Sequence, residues 1–296
     1  MKIDAVFSGG GVKAFAFVGA LQSMEKKNLQ IERVAGTSAG AIIAAFVAAG
    51  YDLAEIEKIV GEIQLKNFLD PPKFSTIIPL SRWLFLYFQM GLYRGNKLEN
   101  WIHEKLVQKG IYSFSDLPEG RLKVVVSDLS LGKLIVLPDD LKRVYDINPK
   151  FFPVSKAIRM SAGFPYFFMP KKLPGKMKEK SLIVDGGLLS NFPLWIFGPD
   201  EGKQLRPVLG IKLSESIENV KPRKIKNAID MFFALFSTMK QAHDARFISK
   251  SEEKNIIFIP VKNIPATDFQ IQPELVSELI EVGRIQTANF LKTWPT

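Results

Sequence analysis

Gly36-Thr37-Ser38-Ala39-Gly40 follows the short run Glu32–Ala35 and opens onto the apolar stretch Ala41-Ile42-Ile43-Ala44-Ala45-Phe46-Val47-Ala48-Ala49. The first flank reads as a strand and the second as a helix, so the pentapeptide is a strand–turn–helix junction. A Gly-x-Ser-x-Gly turn in that place forces its serine into a strained backbone, while the glycines relieve crowding against strand and helix. Ser38 also stands at a helix start, whose field favours a developing alkoxide. The plain alternative is a serine that caps the helix in a glycine-rich turn.

Upstream, the strand Ile3–Phe7 ends in Ser8-Gly9-Gly10-Gly11-Val12-Lys13, followed by a helix through Lys27. Glycines let the backbone approach a ligand closely, and the helix start adds free N–H groups, so this loop suits an anion. Gly9-x-Gly11-x-x-Ala14 fits a dinucleotide fingerprint, but that reading needs an acid at the end of the second strand, where Ala35-Gly36-Thr37 stands. A nucleotide-hydrolase loop needs Gly-Lys-Ser/Thr, and Lys13 is followed by Ala14. The other candidate anion is a transient oxyanion. Downstream, Leu182-Ile183-Val184 runs straight into Asp185-Gly186-Gly187. Alone this is a turn; beside an anion loop and an elbow serine it sits on the functional edge of a sheet. The run Arg159–Pro170 reads as a helix end turning into an aromatic wall, with core packing as its alternative.

The remaining pattern alternates strands and helices, as an α/β protein does. Further strands are expected at Leu122–Ser127, Lys133–Leu137, Val208–Leu213 and Ile256–Val261. Further helices are expected at Leu53–Gln64, Lys97–Gln108, Val154–Ala162, Ile225–Ile248 and Pro273–Lys292. Leu122–Leu129 and Gly132–Leu137 form an antiparallel hairpin around Ser130-Leu131, which makes the sheet mixed. No linker is visible, so residues 1–296 are expected to form one domain. Asp70-Pro71-Pro72-Lys73 begins an insertion over 70–95, and within it Phe74–Leu92 is apolar nearly all round. Such a segment is either a buried core helix or a lid facing a membrane.

Composition narrows the chemistry. The 296 residues include no cysteine and two histidines, His103 and His243, which excludes thiol nucleophiles and leaves a transition-metal site short of ligands. A net charge of +10 favours anionic partners. Basic stretches at Lys171–Lys180 and Lys221–Lys226 read as solvated loops, and without a nucleic-acid motif no nucleic-acid partner is expected. The apolar run Trp83–Leu92 is shorter than the roughly 18 residues that span a bilayer, and Met1–Phe7 does not read as a secretory signal. The expected place is the cytoplasm, or the periphery of a membrane.

Together Gly9–Lys13, Gly36–Gly40 and Asp185–Gly187, in this order and with Leu188-Leu189-Ser190-Asn191-Phe192-Pro193 following, resemble the patatin-like phospholipase family over residues 3 to 215. The C-terminal helical part, 216–296, is less diagnostic, and Ala14 stands where the family usually has glycine. The resemblance implies a three-layer α/β/α fold with a mostly parallel, mixed central sheet. It implies a Ser–Asp dyad that hydrolyses acyl esters of phospholipids, lysophospholipids or acylglycerols through an acyl-enzyme, with no cofactor and no metal. Ser38 is then the nucleophile and Asp185 the base. Gly9, Gly10 and Gly11 form the oxyanion hole, supported by Lys13, Gly36, Gly40, Gly186 and Gly187. A partly desolvated Asp185 with a raised pKa suits that role. The partners implied are a lipid substrate and an anionic membrane surface. An acyltransferase and a non-catalytic lipid-binding module are the alternatives. Ser38, Asp185 and His243 also run in the order of a triad, but His243 reads as the interior of a long helix.

Overall fold

Strand β1 (Lys2–Phe7) lies at the centre of the sheet, and every residue after Lys2 is buried. Parallel strands covered on both faces bury the side chains of both, as Ile3 to Phe7 do here. The computed structural model describes residues 1–72, 86–175, 179–198, 206–214, 225–248, 253–261 and 268–295. β1 pairs in parallel with β2 (Gln30–Thr37) on one side and with β9 (Val208–Ser214) on the other. β10 (Ile256–Pro260) extends the sheet in parallel beyond β9, and β4 (Leu122–Asp128) does so beyond β2. The far margin is antiparallel: β5 (Lys133–Leu137) and β8 (Lys180–Asp185) both pair with β4, and β7 (Lys171–Pro174) pairs with β8. The sheet is thus mostly parallel and mixed, with helices packed against it.

Those helices are α1 (Ala16–Lys26), α2 (Ala39–Ala48), α3 (Leu53–Glu62), α4 (Asn96–Gln108), α5 (Asp139–Tyr145), α6 (Val154–Ser161), α7 (Ala228–Ile248) and α8 (Pro273–Phe290). Alternation along β1 divides the interior. Ile3, Ala5 and Phe7 join the larger core with Phe17 of α1, Phe46 of α2 and Leu279 of α8. Val6 joins a smaller core on the opposite face, with Ala35, Val208 and Ile256 beneath Phe192, Leu194 and Phe197. Asp4 shares that second face and is held by Arg33 and Arg206.

Three expectations change. The chain after the glycine loop first makes a 3-10 turn, Gly11–Phe15, and only then the α-helix, because Gly11 at φ 57 leaves the loop in a left-handed turn. In the basic stretch Lys171–Lys180, Lys171–Pro174 is a strand rather than a solvated loop: Leu173 is buried and Lys171 pairs with Glu99 at 2.5 Å. One inward residue among lysines is too weak a pattern to read as a strand. The aromatic run contains a short strand, β6 (Tyr166–Phe168), parallel to β3 (Gly91–Tyr93). Half of the expected insertion, residues 73–85, lies outside the described residues, as do 221–224 of the second basic stretch. Asp70 clasps the ends of that insertion, its carboxylate accepting from the N–H groups of Gly95 at 2.5 Å and Asn96 at 2.7 Å. Among the described residues no helix is long and apolar enough to cross a membrane.

Candidate active site

The division of β4 brings two strand ends together. Its residues Leu122–Val125 pair with β2, its residues Val126–Asp128 pair with β8, and β5 takes the opposite side across Val124–Asp128. β2 and β8 therefore occupy the same side of β4 and, running in opposite directions, meet at their C-terminal ends. Thr37 lies opposite Val125 and Asp185 opposite Val126. The register alone sets Ser38 beside Asp185, although 147 residues separate them.

Ser38 has φ 55 and ψ −128, a left-handed conformation that a non-glycine residue adopts only under constraint. The constraint is visible. The Ser38 N–H donates to Ser161 Oγ at 2.8 Å, and that hydroxyl donates in turn to the Val125 carbonyl at 2.6 Å. A Cβ on Gly36 would stand 2.6 Å from the Gly40 carbonyl carbon, and one on Gly40 would strike the Ser8 carbonyl, so strand and helix can cross here only without side chains. The Ser38 side chain makes no capping bond to α2; its hydroxyl donates instead to Asp185 Oδ2 at 2.7 Å. The helix-cap reading of this serine is thereby set aside.

Asp185 is 2% exposed. Its second oxygen accepts from the Gly187 N–H at 2.7 Å, and its own N–H donates to the Gly163 carbonyl at 3.0 Å. Burial drives its pKa up from 3.8 to about 6, against the opposing pull of the Ser38 hydroxyl, the Gly187 N–H and the charges of Lys240 and Arg159. Arg159, wholly buried, spends its guanidinium on the carbonyls of Gly95, Arg94 and Met169 and on the Phe168 ring. Gly186 lies against the Val125 carbonyl, which leaves no room for a Cβ.

The glycine loop stands on β9, with Ser8 N–H donating to the Ile211 carbonyl at 3.1 Å and Leu213 N–H donating to Ser8 Oγ at 3.0 Å. Its three glycines are not equivalent. The Gly9 N–H donates to the Asn191 carbonyl at 2.9 Å, so it is engaged and the expected three-glycine donor set narrows. The N–H groups of Gly10 and Gly11 have no acceptor among the described residues. A Cβ on Gly9 would lie 3.2 Å from Ser38 Cβ, which measures how closely the loop approaches the serine. Lys13 is buried in the 3-10 turn, not solvated at a helix start. His103, on α4, lies with its ring 6.0 Å from that of Tyr112; His243 falls within α7, and its side chain is outside the described residues.

Two participants were not among the expected site residues: Ser161 and Asn191. Ser161 and Asn191 both lie in stretches whose pattern stood out, but nothing in a serine or an asparagine next to a turn announces which backbone group it will hold. Among the described residues no group of three or more His, Asp or Glu side chains is placed to hold a metal ion.

Residues 5–197, which carry the glycine loop, the elbow and the Asp185 turn, match the patatin-like phospholipase family. The chain belongs to that family. YqhO of Bacillus subtilis (strain 168) is 48% identical over 295 residues, covering 99% of each chain. Among solved structures, VipD from Legionella pneumophila has a TM-score of 0.59 at 19% identity, covering 99% of this chain and 67% of its own. The type III effector ExoU has a TM-score of 0.52 at 16% identity, covering 98% of this chain and 53% of its own. At those identities the two structures are evidence for the fold. Membership in the patatin-like phospholipases makes the chain a lipid hydrolase, and its central sheet, mostly parallel and flanked by helices, is the patatin-type one.

Proposed function

We propose that this patatin-like protein cleaves carboxylic esters of lipids with a Ser38–Asp185 dyad. The observation that carries the proposal is the 2.7 Å hydrogen bond from a strained elbow serine to a buried carboxylate of raised pKa. Asp185 accepts the Ser38 proton as Oγ attacks the ester carbonyl. The carbonyl oxygen, now an alkoxide, is met by the N–H groups of Gly10 and Gly11, at the start of the 3-10 turn. Collapse expels the alcohol, which takes the proton from Asp185, and leaves an acyl group on Ser38. Asp185 then removes a proton from water, the hydroxide attacks the acyl carbonyl, and the fatty acid departs as Ser38 is reprotonated. Each proton has one donor and one acceptor, so no histidine is required. The engagement of the serine hydroxyl with a base favours this reading over a binding module. Covalent labelling by a fluorophosphonate, lost in Ser38→Ala, tests it; a Ser38→Ala protein that hydrolyses a nitrophenyl ester at the parental rate overturns it. His243→Ala leaves turnover within about threefold, whereas a triad would lose the 10²-fold or more that general base catalysis supplies.

The lipid reaches this site from an anionic surface. α7 turns Phe232 and Phe236 onto Tyr166 and Phe164, with ring centroids 4.6 and 4.8 Å apart, while Met231, Leu235 and Met239 are exposed at four-residue spacing. Tyr87, Phe88 and Tyr166 add exposed rings near β3 and β6. With a net charge of +10, such an apolar rim suits acidic lipid, each basic residue near the surface contributing about 1 kcal/mol. Co-sedimentation at low salt should show more protein on phosphatidylserine-containing than on purely phosphatidylcholine vesicles; equal binding refutes the electrostatic part.

A further inference from the structure

Asp244 is a carboxylate at 4% exposure on α7, a helix whose neighbouring residues Gln241 and Ala242 are exposed. Burying a charge is costly unless donors surround it, and here three do. Lys212 Nζ donates to Oδ2 at 2.8 Å, the Phe192 N–H donates to Oδ1 at 3.1 Å, and Asn191 Nδ2 lies 3.4 Å from Oδ2. None of these donors belongs to α7. Two lie on the turn that follows Asp185, and the third is on β9, the strand that carries the glycine loop.

That turn reaches both halves of the site. Asn191 takes the Gly9 N–H on its carbonyl, and its side-chain oxygen fills the space where a Gly9 Cβ would go. The preceding residue, Ser190, donates its N–H to the Gly186 carbonyl at 2.9 Å and accepts from Thr37 Oγ1 at 3.0 Å. The position of the Gly10 and Gly11 N–H groups relative to Ser38 is therefore set through Asn191, and Asn191 is set through Asp244. Lys240, one turn earlier on α7, shares this inner face, and burial pushes its ammonium pKa down despite the nearby charges of Asp244 and Asp185.

We infer that Asp244 is a positioning residue for the oxyanion loop, acting through Asn191 on Gly9. It touches no reacting atom, and the inference rests on the dyad reading above. Its signature is a fall in kcat with little change in KM, because a misplaced oxyanion donor weakens the transition state rather than substrate binding. Asp244→Asn keeps the side-chain shape and one acceptor but loses the lysine pair. In the full chain we expect it to lower kcat for a soluble nitrophenyl ester about tenfold, and Asp244→Ala about a hundredfold, somewhat less than outright deletion of an oxyanion donor. KM should stay within about threefold, and the rising limb of the pH profile should stay near pH 6, since Asp185 is untouched. Asn191→Ala should reproduce the loss, and the Asp244→Ala/Asn191→Ala double variant should cost no more than the worse single one, as coupled positions do. Circular dichroism melts measure the folded fraction, and if Asp244→Ala does not fold, the same cycle with Asp244→Asn in its place decides. Parental kcat in folded Asp244→Asn, or additive losses in the cycle, overturn the inference. If Ser38→Ala keeps its activity, the dyad reading itself fails, whatever Asp244 does.

Discussion

Asp4 and Asp185 are two buried carboxylates on one sheet, and they are provided for in opposite ways. Asp4, wholly buried near the start of β1, is gripped by Arg33 at 2.5 and 3.0 Å and by Arg206 at 3.2 Å. Asp185, at the end of β8, meets a hydroxyl and one backbone N–H, with no cation in hydrogen-bond contact among the described residues. Two guanidinium groups grip Asp4, and the ion pairs brace the sheet. Asp185 keeps its desolvation largely uncompensated, and this is what lifts its pKa to about 6. A carboxylate that must take up and release a proton in each turnover gains from that poise; a structural one gains from losing it.

The strongest way to break the comparison is to remove charge at Asp185 and read activity. Asp185→Asn should lower kcat by about 10²–10⁴, the range of general base catalysis. In the parent, kcat/KM should fall as pH drops through about 6, where Asp185 is protonated. A rate independent of pH between 5 and 8 would contradict this. The same substitution at the other pole, Asp4→Asn, should leave kcat unchanged and cost about 2–4 kcal/mol of stability in urea unfolding. Removing one partner from a buried pair costs about that much, and the two arginines, each with about 30% of the side chain exposed, recover some hydration.

Asp185→Asn should shift stability the other way. The folded-state pKa of Asp185 lies above its ordinary 3.8, so the folded state binds the proton more tightly than the unfolded chain. That stabilisation is present in full below pH 3.8 and is lost as pH rises through 6; at pH 8 the ionised carboxylate is a burden. The neutral amide removes it, so Asp185→Asn should be more stable than the parent by about 1–3 kcal/mol at pH 8, with the difference vanishing near pH 4. Equal stability at both pH 8 and pH 4 would mean that the pKa of Asp185 is not raised on folding. The smallest effect is expected at His103, whose ring faces Tyr112. His103→Ala should change stability by less than about 0.5 kcal/mol, as surface substitutions do, and leave turnover at the parental rate.

The glycine loop, the elbow and the Asp185 turn were legible in the chain because each is a local backbone solution. A left-handed serine needs glycines within two residues, and a loop that offers N–H groups needs residues without Cβ. The hairpin of β4 and β5 was legible for the same reason, its turn and its alternation being contiguous. Strand β7 was not, since Leu173 is its one buried residue, after two lysines and before a proline. Ser161 gave no signal either: whether a serine at the end of a helix holds the elbow depends on a carbonyl, Val125, on a strand 36 residues away.

Periodicity and glycine placement thus determined that the chain alternates strands and helices, that Ser38 sits in a strained turn, and that Asp185 ends a strand. These are properties of a few consecutive residues, and the backbone sterics that produce them act over the same range. Only the tertiary structure decided that the two residues meet. That depends on β4 dividing one edge between two strands of opposite direction, a register set by the whole sheet. Likewise only the fold assigned Gly9 to Asn191 and left the Gly10 and Gly11 N–H groups without an acceptor among the described residues. Three adjacent glycines are equivalent in sequence, and it is the neighbour brought in by long-range packing that distinguishes them.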